Sequence, residues 1–227
     1  MEKSPVAVLF SGGKDSCLAL HLASKRRRIA CLVTIVSENP ASYMFHTPNI
    51  GLAKQQAEAM ELPIIIEKTK GEKEKELKDL ERAIRKAKKE YKIKGIVTGA
   101  LASIYQKSRI ERICKKLKLE CINPLWQKDQ LWLLHELVKL RFNAVIVGIF
   151  AEGLDESWLG RAIDRKAAEE LKDLSKKYGF NPAGEGGELE TFVLHARFFK
   201  KRLKIKKSHV EGEGFSKILV IDKLAIT

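Results

Sequence analysis

Val6-Ala7-Val8-Leu9-Phe10 runs directly into Ser11-Gly12-Gly13-Lys14-Asp15-Ser16, and this junction decides how the chain is read. A short apolar run that breaks into serine and paired glycines predicts a buried strand ending at an anion site. Adjacent glycines let the backbone approach an anion closely, and its N–H groups can then point at phosphate oxygens. The helix expected from Ser16 to Lys25 adds the positive end of its dipole. Ser11, Ser16 and Lys14 supply hydroxyl donors and a mobile cation.

Two other phosphate loops are excluded. A Walker A loop places serine or threonine after its lysine, whereas Asp15 follows Lys14, and it places a glycine where Val8 stands. The Gly-x-Gly-x-x-Gly dinucleotide fingerprint is also missing. The remaining pattern resembles the pyrophosphatase loop (PP-loop) of enzymes that split ATP between its α and β phosphates.

Outward from this loop, strand and helix signals alternate. Strands are expected at Ile29–Val36, Pro63–Glu67 and Gly95–Thr98. Helices are expected from Asn49, read as its cap, to Glu61, from Glu72 to Tyr91, and from Ser103 to Lys118. Leu77, Leu80, Ile84, Ala87 and Tyr91 form one apolar face of the long charged helix, with Glu74/Lys78 and Glu81/Arg85 expected as ion pairs on its wet side. Such alternation predicts an α/β unit, a parallel twisted sheet flanked by helices and Rossmann-like in plan. The loops after Phe10, Val36 and Thr98 are expected to converge at its ligand edge. Near Pro124 the character changes. A helix at Asp129–Arg141, a strand at Ala144–Phe150, a helix at Asp164–Tyr178 and strands at Glu190–His195, Leu203–Lys207 and Phe215–Ile221 predict a smaller C-terminal α+β unit. The division is placed as residues 1–124, a nucleotide-binding unit, and 125–227, a substrate-binding and catalytic unit.

Composition sets the outer limits. The chain has 227 residues, 44% of them hydrophobic, and a net charge of +14, with an isoelectric point of about 9.6. That charge suits nucleic acid, acidic surfaces or polyphosphate. Lysine and glutamate are abundant together, as in proteins from very hot environments, so the charge is assigned chiefly to a solvated surface. With few aromatics among the basic runs, no nucleic-acid partner is expected. Cys17, Cys31, Cys114 and Cys121 form no Cys-x-x-Cys and are read as small buried hydrophobes. No signal peptide is read at Met1–Pro5, and the longest apolar stretch, Ala144–Ala151, is too short to span a bilayer. A soluble cytoplasmic protein without membrane association is expected.

Three further segments carry candidate chemistry. Ala183-Gly184-Glu185-Gly186-Gly187-Glu188-Leu189-Glu190-Thr191 sets carboxylates on a glycine-rich turn before a strand, suited to Mg²⁺, a cationic substrate or ammonia, or to a general base. Gly99 to Glu111 begins where the fourth strand delivers residues to the ligand edge. Its Arg109 can meet a phosphate or carboxylate bidentately. His46-Thr47-Pro48-Asn49 follows the second strand. Pro124-Leu125-Trp126, with Asp129-Gln130 behind it, reads as a hinge, Trp126 being a packing anchor.

Taken in order, these segments resemble the diphthine–ammonia ligases, from residue 6 to about residue 199. Glu185-Gly186-Gly187-Glu188 followed by Glu190-Thr191-Phe192-Val193 is the most specific part of the likeness. It implies an adenine nucleotide alpha hydrolase-like fold and the last step of diphthamide synthesis. ATP would adenylate the carboxylate of diphthine, a modified histidine on translation elongation factor 2, and ammonia would displace AMP. Lys14, the loop amides and Mg²⁺ would neutralise the departing pyrophosphate. Asp15 either orients Lys14 or helps hold Mg²⁺. Arg109 would bind the substrate carboxylate, and Glu185 and Glu188 would serve as electrostatic partners or base. The nucleotide is expected on Ser11, Gly12, Gly13, Lys14, Asp15, Ser16, Val36, His46, Gly99 and Ala100. The substrate is expected on Ser103, Tyr105, Gln106, Arg109, Glu111, Gly186, Gly187, Glu190 and Thr191. Free ammonium is the expected nitrogen source, no glutaminase segment being visible. A homodimer stays open. Two other readings stand beside this one, a PP-loop enzyme that modifies tRNA and a non-catalytic adenine-nucleotide sensor.

Overall fold

The computed structural model describes residues 3–39, 48–72 and 74–227. Its contacts divide the chain into two compact units. One comprises Met1–Ser11 and Asp15–Trp126; the other comprises Gln127–Thr227 together with the three residues Gly12–Lys14.

The first unit carries a five-stranded sheet in the order β3-β2-β1-β4-β5. β1 is Pro5–Leu9, β2 Arg28–Ser37, β3 Ile64–Thr69, β4 Gly95–Val97 and β5 Glu120–Ile122. All four strand pairings are parallel. The helices between them are α1 (Lys14–Ser24), α2 (Ala53–Met60), α3 (Glu76–Tyr91) and α4 (Ile104–Lys116). Both faces of the sheet are buried, which is why β1 and β2 are near-continuous apolar runs. Ala7, Cys31, Val33, Ile65 and Ile96 share one core with Leu80, Ala83 and Ile84 of α3 and with Ile110 and Ile113 of α4. The alternate residues Val6, Val8 and Leu32 are equally inaccessible. The chain builds outward from β1 through β2 to β3, then returns to β4 on the other side of β1. Strand order therefore reverses between β1 and β4, and crevices of this kind bind ligands at the carboxyl ends of the strands.

The second unit carries α5 (Gln130–Lys139), α6 (Arg165–Tyr178) and a four-stranded antiparallel sheet. Its order is β7-β6-β9-β8, with β6 Asn143–Ile149, β7 Leu189–His195, β8 Leu203–Glu213 and β9 Ser216–Ile226. Asp129 caps α5 and Asp164 caps α6, each accepting a backbone N–H from the first turn.

Several boundaries differ from the sequence reading. Asn49 takes the left-handed conformation, φ 63°, and precedes a 3₁₀ turn at Ile50–Leu52, so the expected helix starts only at Ala53. α3 starts at Glu76 because Glu74 is also left-handed, φ 66°. Glu74 thus lies outside the helix and meets Arg109 in place of Lys78, whereas Glu81 and Arg85 pair as expected. β5 has no counterpart among the expected strands, and β8 and β9 run several residues further than their apolar signals. The cysteines are free thiols, three buried and Cys121 half-buried.

Candidate active site

In the first unit, the segment after β1 is fixed by short polar contacts. The Phe10 N–H donates to the Val33 carbonyl at 2.8 Å, and the Thr34 hydroxyl donates to the Phe10 carbonyl at 2.7 Å. Ser16, buried in the first turn of α1, brings its Oγ within 3.3 Å of the Ser11 N–H and 3.2 Å of the Ser11 hydroxyl. The end of β4 lies against the same turn. A Cβ on Gly99 would stand 2.9 Å from the Ser16 nitrogen and 3.0 Å from the Asp15 carbonyl carbon. Only glycine allows this approach. Beyond it the Thr98 hydroxyl donates to Asn123 Oδ1 at 2.6 Å and accepts the Ala100 N–H at 3.2 Å, which turns the chain toward α4.

The tip of the loop, Gly12–Lys14, belongs to the second unit. Gly12 has φ 83°, a conformation that disfavours a side chain. Its carbonyl accepts the Val193 N–H at 3.0 Å, and the Lys14 N–H donates to Thr191 Oγ1 at 3.0 Å. Both partners lie in β7. Lys14 is 3% exposed and Thr191 is also buried. Two loop amides expected to face phosphate, those of Ser11 and Lys14, are therefore committed to protein acceptors.

β7 follows directly on the acidic glycine turn of the same unit. Glu188 is the anchor of that turn. Its Oε1 accepts from the Asn181 N–H at 3.0 Å and the Asn181 side-chain amide at 2.7 Å, and its Oε2 accepts the Gly186 N–H at 2.8 Å. Gln130 ties the turn to α5. It donates to Asn181 Oδ1 at 2.8 Å and accepts the Ala183 N–H at 3.1 Å. The Gly187 N–H closes the turn on the Gly184 carbonyl at 3.0 Å. No motif in the sequence marks Asn181. Its signal was the spacing to Glu188, which becomes meaningful only once the turn folds back. Glu185 and Glu190 are half-buried, and Gly186 is exposed.

The residues expected to hold substrate on α4 form a separate cluster in the first unit. The Arg109 guanidinium lies 3.3 Å from the centre of the Tyr105 ring, and its Nε donates to Glu74 at 2.9 Å. The Tyr105 hydroxyl donates to the same carboxylate at 3.3 Å. Ser103 is the helix cap, accepting the Gln106 N–H at 3.3 Å. Glu111 pairs with Lys107 at 3.4 Å one turn back, and the Lys107 ammonium lies 4.3 Å over the Trp126 ring. Val36 is half-buried in β2, opposite Lys68 of β3. His46 lies outside the described residues.

Comparison with known proteins gives this arrangement a family. The profile described as "Diphthamide synthase N-terminal domain" matches residues 4–121, and "Diphthamide synthase C-terminal domain" matches residues 129–225. The chain belongs to the diphthamide synthase family. A diphthine–ammonia ligase of Bos taurus is 35% identical over 225 residues, covering 90% of this chain and 84% of its own. One of Homo sapiens is 35% identical over 228 residues with the same coverage. A solved structure from Methanocaldococcus jannaschii, titled as a subunit of a tRNA methyltransferase, covers 86% of this chain and 98% of its own at 21% identity and a TM-score of 0.46.

Proposed function

We propose that this chain is an ATP-dependent carbon–nitrogen ligase that amidates the diphthine carboxylate of translation elongation factor 2. A carboxylate is a poor acyl donor because oxide is a poor leaving group. In the first step a carboxylate oxygen attacks the α-phosphorus of ATP, and the bond to the β-phosphate breaks, releasing pyrophosphate. Ammonia then adds to the acyl carbon, the acyl–oxygen bond breaks and AMP leaves. The amide nitrogen loses a proton in that step. Charge develops on the pyrophosphate, and it is met by the positive end of α1 and by Lys14.

The observation that carries this reading lies within the second unit. The Lys14 N–H is hydrogen-bonded to Thr191 of β7, and β7 begins immediately after the turn anchored by Glu188. The phosphate-loop tip and the acidic turn are thereby parts of one compact structure, as activation of a carboxyl beside an α-phosphate requires. Glu188 serves as the anchor of the turn, since its carboxylate is met by three donors. Glu185 remains the carboxylate proposed to face ammonia or a cationic substituent.

Among the described residues no group of three or more His, Cys, Asp or Glu is arranged to hold a metal ion. Mg²⁺ brought in by a nucleotide needs only one or two protein carboxylates and keeps its phosphate and water ligands. Asp15, in the first turn of α1, would be that carboxylate, and the ion would neutralise phosphate charge. Among the described residues no helix is long and apolar enough to cross a membrane.

The test is turnover with diphthine-bearing elongation factor 2, ATP and ammonium. Stoichiometric AMP, pyrophosphate and amidated factor are expected. Nucleotide recovered unchanged in that mixture would refute the ligase, and AMP release dependent on tRNA alone would replace it with an RNA-modifying reaction.

A further inference from the structure

The hairpin of β8 and β9 and the residues just before it carry charge that the other described residues do not neutralise. Six of the eight residues from Lys200 to Lys207 are cationic, and no Asp or Glu stands between Glu190 and Glu211. All six of these side chains are exposed. Among the described residues none of them enters an ion pair. On α3, by contrast, acids are interspersed among the cations. There Arg82 pairs with Asp79 at 2.9 Å and Arg85 with Glu81 at 2.6 Å. The nearest acids on the hairpin, Glu211 and Asp222, are both engaged by His209, at 3.0 and 3.1 Å.

The strand register sharpens this. Lys207 stands directly opposite Lys223 of β9. Like charges facing each other across an antiparallel pair oppose the pairing. β8 is the outer strand of its sheet, and a lysine on an edge strand discourages edge-to-edge aggregation. That purpose needs one or two charges. It does not account for six, nor for a facing like-charge pair. An anionic partner would relieve both.

The surface chemistry selects the partner. Protein–protein interfaces are depleted in lysine and rich in aromatic residues at their centres. Here the apolar residues of the stretch, Leu203 and Ile205, are buried or half-buried. Lys204, Lys206 and Lys207 are exposed within four consecutive residues, Lys206 at a break in the strand register, a density of cations that suits the closely spaced charges of a nucleic-acid backbone. We propose that the basic base of the β8–β9 hairpin binds the phosphate backbone of a nucleic acid, without reading base sequence. The whole-chain charge is compatible with such a partner but is accounted for by a solvated surface; the concentration of cations on and just before one edge strand is what points to nucleic acid. The surface is independent of the ligase reaction, so amidation and nucleic-acid binding stand or fall separately.

The experiment uses the full chain and fluorescein-labelled RNA and DNA duplexes of one mixed sequence. Anisotropy is read between about 50 and 200 mM salt. Wild type is expected to bind both duplexes. The triple variant K204Q/K206Q/K207Q is expected to bind at least about tenfold more weakly, with the slope of log affinity against log salt reduced by about 2 to 3, since each phosphate contact contributes about 0.9. K86Q/K89Q/K92Q removes equal charge from exposed positions on and just beyond α3. It is expected to stay within about threefold of wild type. Equal weakening by both triple variants would reduce the effect to net charge and overturn the proposal. So would an unchanged salt slope in the hairpin variant, or binding of polyglutamate with no binding of either duplex, which would indicate an acidic protein partner. Circular dichroism melting checks folding. Should the triple variant unfold, single variants at Lys204 and Lys206 must each lower the slope by about 0.9.

Discussion

Gly99→Ala tests whether the end of β4 positions the phosphate loop. The added Cβ would meet the Ser16 nitrogen at 2.9 Å and the Asp15 carbonyl carbon at 3.0 Å, roughly half an ångström inside ordinary contact. Both atoms are backbone in the first turn of α1, so no side-chain rotation relieves the clash. Either α1 or the β4 end must move. Overpacking of this kind costs about 1–3 kcal/mol, which in a chain of this size lowers the melting temperature by about 2 to 12 °C. The catalytic effect follows from geometry. A displacement of about 1 Å at a reacting centre costs about a hundredfold in rate, so half that shift predicts a loss of about tenfold in kcat/KM for ATP. The assay is AMP formation at varied ATP, with thermal melting in parallel. Gly51→Ala is the control, because a Cβ there meets nothing within 4 Å; it is expected to change neither quantity appreciably. Wild-type kcat/KM and melting temperature in Gly99→Ala would refute the coupling of β4 to the loop.

Three further outcomes are expected. Glu188→Gln turns one acceptor oxygen into a donor facing existing N–H donors, so it should cost about 1–3 kcal/mol and speed hydrogen exchange at Asn181 and Gly186; unchanged exchange would refute the anchoring role. Among the cysteines, Cys121 should alkylate first at neutral pH, because hydrogen bonds from Cys114 and Asn123 lower its thiol pKa, while burial pushes Cys31 up to about 12 and Cys17 upward as well; peptide mapping that finds Cys17 modified first would contradict this. His209 is held above its ordinary value by hydrogen bonds to Glu211 and Asp222, so its contribution to the hairpin is complete below the unfolded histidine pKa of about 6.5 and is lost as pH rises through the raised folded value. Hydrogen exchange around Val210 and Val220, corrected for intrinsic rates, should therefore quicken as pH rises, and His209→Gln should remove that dependence.

The parallel sheet was legible because burial on both faces writes strands as unbroken apolar runs. Val6–Phe10 and Ile29–Val36 show this directly, and paired glycines mark where the first of them ends. β5 was not legible. It is three residues, Glu120-Cys121-Ile122, on a sheet edge, too short for any period and held by its register with β4. β8 and β9 outran their signals for a related reason. Most of β8 is exposed, so hairpin pairing, not an apolar face, defines it. At the site, the sequence marked Glu188 by its glycines but could not supply its donors. Asn181 reaches it only through the fold of the turn, and Gln130 holds Asn181 from α5. The pairing of Glu74 with Arg109 bridges 35 positions, and helical periodicity assigned Glu74 to Lys78 instead.

That last pairing constrains what Arg109 can do. The guanidinium offers donors along two edges. The edge formed by Nε and Nη2 is occupied by Glu74, and Nη1 leans on the Tyr105 carbonyl at 3.4 Å. One face of the group lies on the Tyr105 ring. In the proposed role, a substrate carboxylate would have to use the outer Nη1–Nη2 edge, and it would meet a cation whose charge is already partly balanced. The ring and Glu74 fix the plane of the guanidinium before any ligand arrives, so less side-chain freedom is lost on binding. The same carboxylate weakens the attraction it orients. An arginine so arranged would give any carboxylate it bound direction more than affinity.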